Sequence, residues 1–339
     1  MLTHGATAVG IANIAMDGTV LDTWYPHPEL VIDLDSPAVP ATSGTTRLGA
    51  HRLTPKMLSL VRIDEDRMVE QVAVSTTIRD LSQPALDAHD VFLRLHLLSH
   101  RIVRPHEINM DGVLDLLSTV VWTNKGPCLP DNFEFVRTSL RSRGLIHVYG
   151  VDRLPRMVDY VVPSGVRIAE AERVRLGAYL APGTSVLREG FVSFNSGSLG
   201  PSKIEGRMSS GTVIGENTRV GLAAIVMAGR SETNPRVPTS IGESCTLGVS
   251  AGVIGLDLGD HCSIGNGVVL EPHTPVLFFD GALPQPGEPI DEGRWGTAAD
   301  MGGGNNWTVR CAASAGTIVA SQAPQQDPPG YNSEFSGIY

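Results

Sequence analysis

Aliphatic residues recur every six positions through residues 176–271, and each is followed by glycine or an acid. The clearest runs are Ile214 and Val220, Ile241 and Leu247, and Leu258, Ile264 and Leu270. This period predicts a parallel β-helix, in which each hexapeptide is a strand plus a turn and about three make one coil. An α-helix repeats about every 3.6 residues, and the strands of a β-sandwich, the alternative, return after about 8–12. We expect the aliphatic side chains to fill the coil and the glycines to allow its corners.

The N-terminal half has a different pattern, mixed α/β. Residues 8–14 and 19–25 flank Asp17-Gly18 and predict a hairpin, and the β-branched run 72–78 predicts a strand. Residues 87–100 predict a helix capped by Asp87, because Val91, Leu95 and Leu98 recur at helical spacing. A shorter helix is predicted at 133–140 and a strand at 146–149.

These signals divide the chain into three parts. We predict an N-terminal α/β domain over residues 1–160, a β-helix over 161–278, and a loop-rich C-terminal region and tail over 279–339, with one strand near 307–310. Two breaks are expected in the β-helix, at Arg188–Lys203 and at Ala228–Thr239. Loops that leave a rigid solenoid are where binding residues tend to lie.

The composition excludes several classes of protein. Of the 339 residues 42% are hydrophobic and 18% charged, which fits a folded protein, and the net charge of −10 argues against a nucleic-acid partner. We find no signal peptide and no apolar run long enough to cross a membrane, so we expect a cytoplasmic protein. The cysteines, which are far apart, are expected to be packing residues and not zinc ligands or disulfides; they are Cys128, Cys245, Cys262 and Cys311.

Two histidines four residues apart, His96 and His100, share one face of the predicted helix. That spacing suits zinc, but no glutamate follows the first histidine and no third ligand is evident. We therefore expect interface or partly buried histidines there.

Longer motifs resemble a known family. They are Asp87–Arg101 (DAHDVFLRLHLLSHR), Val121–Cys128 (VWTNKGPC), Val148–Val162 (VYGVDRLPRMVDYVV), Gly165–Gly183 and Ile204-Glu205-Gly206-Arg207. Together they resemble the longer-chain branch of the tetrahydrodipicolinate N-succinyltransferases, over roughly residues 5–275. The resemblance implies a homotrimer of left-handed β-helices with active sites between neighbouring subunits. It also implies succinyl-CoA as the donor and a small-molecule amine as the acceptor.

Glu205 matches the catalytic glutamate of that family. It could take a proton from the attacking amine as a general base, or accept the succinyl group itself as a mixed anhydride. The alternative is a plain corner carboxylate of a hexapeptide.

The resemblance also places residues around the donor. Arg207 matches a residue that contacts succinyl-CoA, and an arginine can hold a carboxylate or phosphate through two hydrogen bonds. Gly221, Ser231 and Arg310 are assigned to the same binding site. Only Arg310 remains of a basic pair in the family's C-terminal stretch, so the hold on the CoA phosphates is expected to be weakened or relocated.

Glu172 and Glu189 fall where the longer branch can bind a divalent cation such as Mg²⁺ near the trimer axis. Three symmetry-related carboxylates there would repel one another unless a cation or protons neutralised them. Glu172 replaces an expected aspartate, and a surface salt bridge is the alternative.

Departures from the family cluster around the pocket, where Leu222 and Ile225 replace small residues. This predicts a changed acceptor, such as hydrazinoacetic acid in specialised metabolism. The first alternative is tetrahydrodipicolinate, in lysine and diaminopimelate biosynthesis. The second is a catalytically silent trimeric scaffold, against which the retention of Glu205 and Arg207 argues.

Overall fold

The N-terminal part is built on an antiparallel sheet of six strands. The computed structural model describes residues 1–33, 40–230, 237–281, 283, 293–312 and 316–323. The sheet comprises Gly5–Ala15, Val20–Trp24, Glu29–Val31, Gly44–Arg47, Arg62–Asp64 and Val69–Ile78. A second sheet comprises Val120–Thr123, Gly126–Cys128 and Val148–Asp152. The predicted hairpin and the strand at 72–78 are confirmed.

The described residues contain three α-helices, Pro55–Leu58, Ala88–Ser99 and Phe133–Leu140. Short 3₁₀ turns lie at Ala50–Arg52, Val113–Leu116, Arg141–Arg143, Met157–Asp159, Ala171–Arg173 and Ala298–Met301. The helix Ala88–Ser99 is capped as predicted, since the Asp87 side chain accepts a hydrogen bond from the backbone N–H of Asp90 at 2.9 Å. None of the helices in these ranges combines the length and apolar character needed to cross a bilayer.

The helix Ala88–Ser99 is buried on both sides, not on one face only. Its residues from His89 to Ser99 are buried. One side packs on the N-terminal sheet and the other on the first turn of the coil, where the Gly177 N–H donates to Ser99 Oγ at 2.8 Å. Its one arginine, Arg94, is neutralised by Asp90 at 2.7 Å. The helix therefore fixes the coil to the N-terminal sheet.

Parallel strands then wind into a coil with three faces. Face I comprises Arg167–Ile168, Ser185–Val186, Lys203–Ile204, Arg219–Val220, Thr246–Leu247 and Ser263–Ile264. Face II comprises Phe191–Val192, Arg207–Met208, Ile225–Met227, Gly252–Ile254 and Val269–Leu270. Face III comprises Ala178–Leu180, Ser196–Ser198, Thr212–Ile214 and Thr239–Ile241.

The inward residues stack turn upon turn, as the six-residue period predicts. Ile168, Val186 and Ile204 pair in register at intervals of 18 residues, and Val220 stacks on Ile204. All but the terminal Ile168 are fully buried. The coil therefore has its own core, separate from the core of the N-terminal sheet.

The first predicted break is wrong, because residues 188–203 continue the coil. Phe191 pairs in register with Arg207, and Ser198 stacks between Leu180 and Ile214. Hydroxyl groups replace aliphatic ones inside this turn, and they are satisfied locally: Ser198 Oγ lies 2.5 Å from Thr184 Oγ1. The second predicted break is present, since residues 228–238 separate a face II strand from the next face III strand.

The C-terminal region is more regular than predicted. Its described residues contain three strands, Arg294–Thr297, Trp307–Cys311 and Ile318–Gln322, where the sequence predicted one, and the strand Pro275–Phe279 ends at its start. Trp307–Cys311 pairs with Ser263–Ile264, so face I continues into this region as one sheet of ten strands. The tail from residue 324 lies outside the described residues.

Cys128, Cys245 and Cys262 are buried packing residues, as predicted, whereas Cys311 is exposed. Cys245 and Cys262 are neighbours on successive turns, with the Cys262 N–H donating to Cys245 Sγ at 3.3 Å. Their thiols donate to the carbonyls of Gly259 and Gly304. On the preceding turn the Thr218 hydroxyl donates to Gly242 O, so Thr218, Cys245 and Cys262 each donate a side-chain hydrogen bond to a backbone carbonyl of the next turn.

His96 is a structural residue. Its Nδ1 donates to Phe92 O at 2.7 Å, and its Nε2 accepts the Tyr25 N–H at 3.2 Å. Both ring nitrogens are therefore used, which leaves no lone pair for zinc. Burial lowers the pKa of His96 from 6.5 to about 3.

Acidification should consequently destabilise the fold through His96. The depressed pKa contributes stability in full above pH 6.5, and this is lost as the pH falls toward about 3, since only the unfolded chain takes up the proton. Between pH 7 and 5 we expect the free energy of unfolding to fall by about 2 kcal/mol through this residue. Urea unfolding at both pH values checks this, with His96→Gln showing the smaller difference. An equal pH dependence in the variant would contradict it.

Candidate functional site

The residue after each face I strand lies at one corner of the coil. The backbone N–H of Glu205 donates to Val220 O at 2.8 Å, that of Gly221 to Leu247 O at 2.9 Å, and that of Gly248 to Ile264 O at 2.8 Å. Gly265 N–H donates to Val309 O at 2.7 Å. The column therefore runs in the order Glu205, Gly221, Gly248, Gly265 and Arg310, with about 4.8 Å between neighbours. We call this column the Glu205 corner.

Glu205 points outward from the coil and not into its core. Its side chain is 27% exposed, whereas Ile204 before it is fully buried. Its carboxylate forms an ion pair with Lys203, with Nζ 2.7 Å from Oε1. Lys203 lies two residues earlier on face I, so both side chains leave the same edge of the coil. Glu205 can thus reach a molecule bound outside the coil with one oxygen held by an ammonium group.

Lys203 was not identified from the sequence, and its contact predicts a positioning role. We expect Lys203→Met to lower kcat/KM by about tenfold, which corresponds to about 1.4 kcal/mol, because Glu205 loses its fixed orientation. Lys203→Arg keeps the charge and should recover most of that loss. Steady-state kinetics of the two variants test this, and equal activities of Lys203→Met and the parent would contradict it.

Arg207 lies two residues after Glu205 on face II. Its guanidinium packs over the Phe191 ring, 4.3 Å from the centroid, and Phe191 is its neighbour in register. Stacking uses the flat face of the guanidinium and leaves its in-plane N–H groups able to donate to a carboxylate or phosphate. Glu205 and Arg207 therefore stand close together beside the same corner.

Three glycines separate Glu205 from Arg310 along the corner. A Cβ on Gly221 would lie 2.5 Å from Leu247 O, and one on Gly248 would lie 2.4 Å from the side-chain oxygen of Asn266. Only glycine fits this close stacking, which also leaves a strip of bare backbone along successive turns. Of these glycines the sequence singled out Gly221 alone, because the stacking partners are far apart in the chain. We call Gly221, Gly248 and Gly265 the glycine strip.

Arg310 and Ser231 are the other two residues assigned to the succinyl-CoA site. Arg310 is half-buried on the strand Trp307–Cys311, and it lies against Gly265, where an added Cβ would stand 3.3 Å from the Arg310 Cβ. It thus stands at the opposite end of the glycine strip from Glu205. Ser231 lies outside the described residues.

Glu172 and Glu189 are both exposed, and arginines lie beside Glu189 and the nearby Glu170. Arg173 lies 3.7 Å from Glu189 and 3.5 Å from Glu170, and Arg188 pairs with Glu170 at 3.0 Å. Glu189 thus already has a cationic partner. No cluster of three or more potential metal ligands occurs in the ranges that the structure describes. These residues of one subunit alone therefore do not fit a divalent cation.

Comparisons with known proteins point to one family. Residues 117–156 match a family model described as the middle region of tetrahydrodipicolinate N-succinyltransferase. Residues 238–272 match a hexapeptide repeat of succinyl-transferases. Over 216 residues the chain is 46% identical to a protein of Salinispora tropica named 2,3,4,5-tetrahydropyridine-2,6-dicarboxylate N-succinyltransferase. A Pseudomonas aeruginosa protein of the same name is 42% identical over 208 residues.

These matches cover part of each chain. They span 63% and 61% of this chain, and 66% and 60% of the two relatives, which is less than two thirds of either relative. A Campylobacter jejuni crystal structure, provisionally assigned as a 2,3,4,5-tetrahydropyridine-2-carboxylate N-succinyltransferase, superposes with a TM-score of 0.75. It is 21% identical, and the match covers 95% of this chain and 93% of that one. At that identity the likeness concerns the fold.

Proposed function

Because this chain belongs to the tetrahydrodipicolinate N-succinyltransferase family, we propose that it transfers the succinyl group of succinyl-CoA to tetrahydrodipicolinate. The observation that carries the proposal is the 46% identity to a relative named for this reaction. The named relatives give no support to hydrazinoacetic acid as the acceptor, and they favour the alternative.

The chemistry requires an amine that can attack a thioester. Tetrahydrodipicolinate is a cyclic imine, so water must open the ring before its nitrogen becomes a primary amine. Attack of that amine on the succinyl carbonyl carbon forms an amide and releases the CoA thiol. Glu205 would take the proton from the amine, or would first accept the succinyl group and then pass it to the amine.

Other residues of the corner suit the donor. The glycine strip offers bare backbone along which an extended thioester chain could lie, with Arg310 at the far end for a phosphate. Arg207 is placed to bind a carboxylate beside Glu205. Gly221 contributes by its lack of a side chain, and Ser231 keeps its assignment as a prediction.

We infer a homotrimer of left-handed coils from the same family. Exposed apolar side chains beside the Glu205 corner support an interface there: Leu222 is 44% exposed, Val249 48% and Val269 45%. The domain bounds 1–160, 161–278 and 279–339 stay a prediction. A divalent cation held by Glu172 and Glu189 of several subunits, and a cytoplasmic location, stay predictions.

If the interface lies beside the Glu205 corner, placing a charge there should dissociate the trimer. Leu222→Asp should convert the trimer to smaller species, because a carboxylate cannot be buried unpaired in an apolar contact. Sedimentation velocity measures this, with Leu145→Asp as the control on an exposed leucine of the N-terminal domain, 73% exposed. A trimeric Leu222→Asp variant would place the interface elsewhere.

Release of free thiol tests the reaction. Purified protein is mixed with succinyl-CoA and, separately, with tetrahydrodipicolinate, hydrazinoacetic acid and other small amino acids. We expect thiol release with tetrahydrodipicolinate, and more slowly with acetyl-CoA as the donor. Release with the other acceptors only would contradict the proposed acceptor, and no release with any would favour a silent scaffold.

A further inference from the structure

A cavity of about 370 Å³ lies in the N-terminal half, apart from the Glu205 corner. Strand Val20–Trp24 of the first sheet forms one wall, and the three-stranded second sheet forms another. Arg156, Asp159 and Tyr160 complete the lining. No residue of the Glu205 corner lines it. The proposed reaction therefore does not account for this cavity.

Aromatic rings form much of the cavity wall. Trp24 and Tyr149 stand at the mouth, 36% and 42% exposed, while Trp122 is buried deeper. The indole N–H of Trp122 donates to Asp152 O at 2.8 Å, so its polar atom is already satisfied and its ring surface remains as wall. Tyr160 is the fourth aromatic residue of the lining. Ring faces carry negative charge density and attract cations.

One aromatic wall already binds a cation of the protein itself. The guanidinium of Arg156 packs over the Tyr149 ring, 3.7 Å from its centroid. The same guanidinium makes two hydrogen bonds to Asp159, at 2.9 and 2.8 Å. The charge of Arg156 is thus offset by Asp159 within the lining.

A second carboxylate, Asp22, has no such cation in the lining. The guanidinium of Arg67 acts on it from outside the lining, and Arg67 is itself paired with Asp64 at 2.7 Å. Asp22 is 4% exposed and accepts hydrogen bonds from Asn13 Nδ2 at 2.7 Å and from the Tyr160 hydroxyl at 2.5 Å. Burial raises the pKa of Asp22, because its charge has lost hydration. Among the residues that the structure describes, the lining consequently holds two carboxylates, Asp22 and Asp159, and one cationic group, Arg156.

We propose that this cavity binds a small organic cation, an aliphatic ammonium compound such as a quaternary amine or a diamino acid. The rings supply cation–π contacts, and the excess carboxylate selects for positive charge. An inorganic cation fits less well, since ring surfaces form much of the wall. This proposal stands independently of the succinyl transfer.

Choline and its uncharged isostere 3,3-dimethylbutan-1-ol form the direct test, because they share shape and differ in charge. Calorimetric titration of the full chain should show choline binding at least about tenfold more tightly, which is about 1.4 kcal/mol. L-Lysine and L-norleucine form a second pair with the same expected order. Equal affinities within both pairs, or no choline binding up to about 10 mM, would overturn the proposal.

Variants locate the binding. Trp24→Leu and Tyr149→Leu should each raise the Kd for choline by about three- to thirtyfold, the range of one cation–π contact. Tyr149 is 42% exposed, so its replacement should leave the fold intact even if Trp24→Leu does not fold. Trp295→Leu is the matched control, a tryptophan 61% exposed on another strand, and should bind as the parent does.

A variant of Glu205 distinguishes the proposed cation site from the proposed catalytic site. Glu205→Gln should bind choline with unchanged affinity, because Glu205 does not line the cavity. If Glu205→Gln abolished choline binding, the cation would be occupying the Glu205 corner, and the proposal would be wrong. Unchanged binding in both Tyr149→Leu and Trp24→Leu would likewise exclude this cavity.

Discussion

Glu205→Gln is expected to lower kcat by about a thousandfold while the oligomer remains intact. Gln keeps the size of the side chain but can neither take a proton nor form an acyl anhydride, and a positioned proton acceptor contributes about 10²–10⁴-fold. Side-chain exposure of 27% implies little cost to folding. Thiol release from succinyl-CoA with tetrahydrodipicolinate measures the loss.

Glu271→Gln is the matched control for that experiment. Glu271 is also an acid after a buried aliphatic residue, Leu270, but it follows a face II strand and so lies at another corner. Its replacement should leave kcat within about twofold of the parent. Near-normal turnover by Glu205→Gln would remove the catalytic assignment and leave the corner carboxylate as a surface residue.

The second large effect is expected from Gly206, between Glu205 and Arg207. A Cβ on Gly206 would lie 2.2 Å from Ala224 O and 2.7 Å from Gly221 O, both backbone atoms that cannot swing away. We expect Gly206→Ala to lower the free energy of unfolding by about 3 kcal/mol, because the turns must separate locally. Turnover should fall as well, since both flanking side chains move.

Urea unfolding of Gly206→Ala and Gly150→Ala measures this effect. Gly150 lies on the strand Val148–Asp152, where an added Cβ meets nothing within 4 Å. Its replacement should change stability by less than about 0.5 kcal/mol. Equal stabilities of the two variants would show that the coil relaxes around Gly206, and the close stacking of the corner would lose its assigned importance.

The coil could be predicted from the sequence because its core is periodic. Val186, Ile204 and Val220 recur with the hexapeptide spacing and stack as that spacing requires. The turn at 188–203 was missed because Ser196 and Ser198 occupy inward positions. Their hydroxyl groups pair with Thr212 and Thr184, and such pairing across turns leaves no local signal in the sequence.

The C-terminal strands depend on pairing between distant segments. Val309 stacks on Ile264, and Leu277 pairs with Val319, each about forty residues away along the chain. No short period marks such partners, so the prediction of mostly loops was incomplete. The helix Ala88–Ser99 was predictable because its cap and its apolar spacing are local.

In the candidate site, too, some residues could be identified from the sequence and others could not. Glu205 and Arg207 belong to one short motif, so the resemblance could identify both. Lys203 lies just before that motif, so the resemblance passed over it. Gly248 and Gly265, the two further glycines of the strip, acquire their places only when turns 17 to 27 residues apart stack. Arg173, which lies beside Glu189, likewise comes from the preceding turn.

Competition between acceptors tests the central claim most directly. The protein is given limiting succinyl-CoA with equal concentrations of tetrahydrodipicolinate and hydrazinoacetic acid, and the succinylated products are separated by mass. The account predicts that most of the succinyl group appears as an amide of the ring-opened tetrahydrodipicolinate, and that Glu205→Gln forms neither product. A majority on hydrazinoacetic acid, or equal yields from Glu205→Gln, would contradict it.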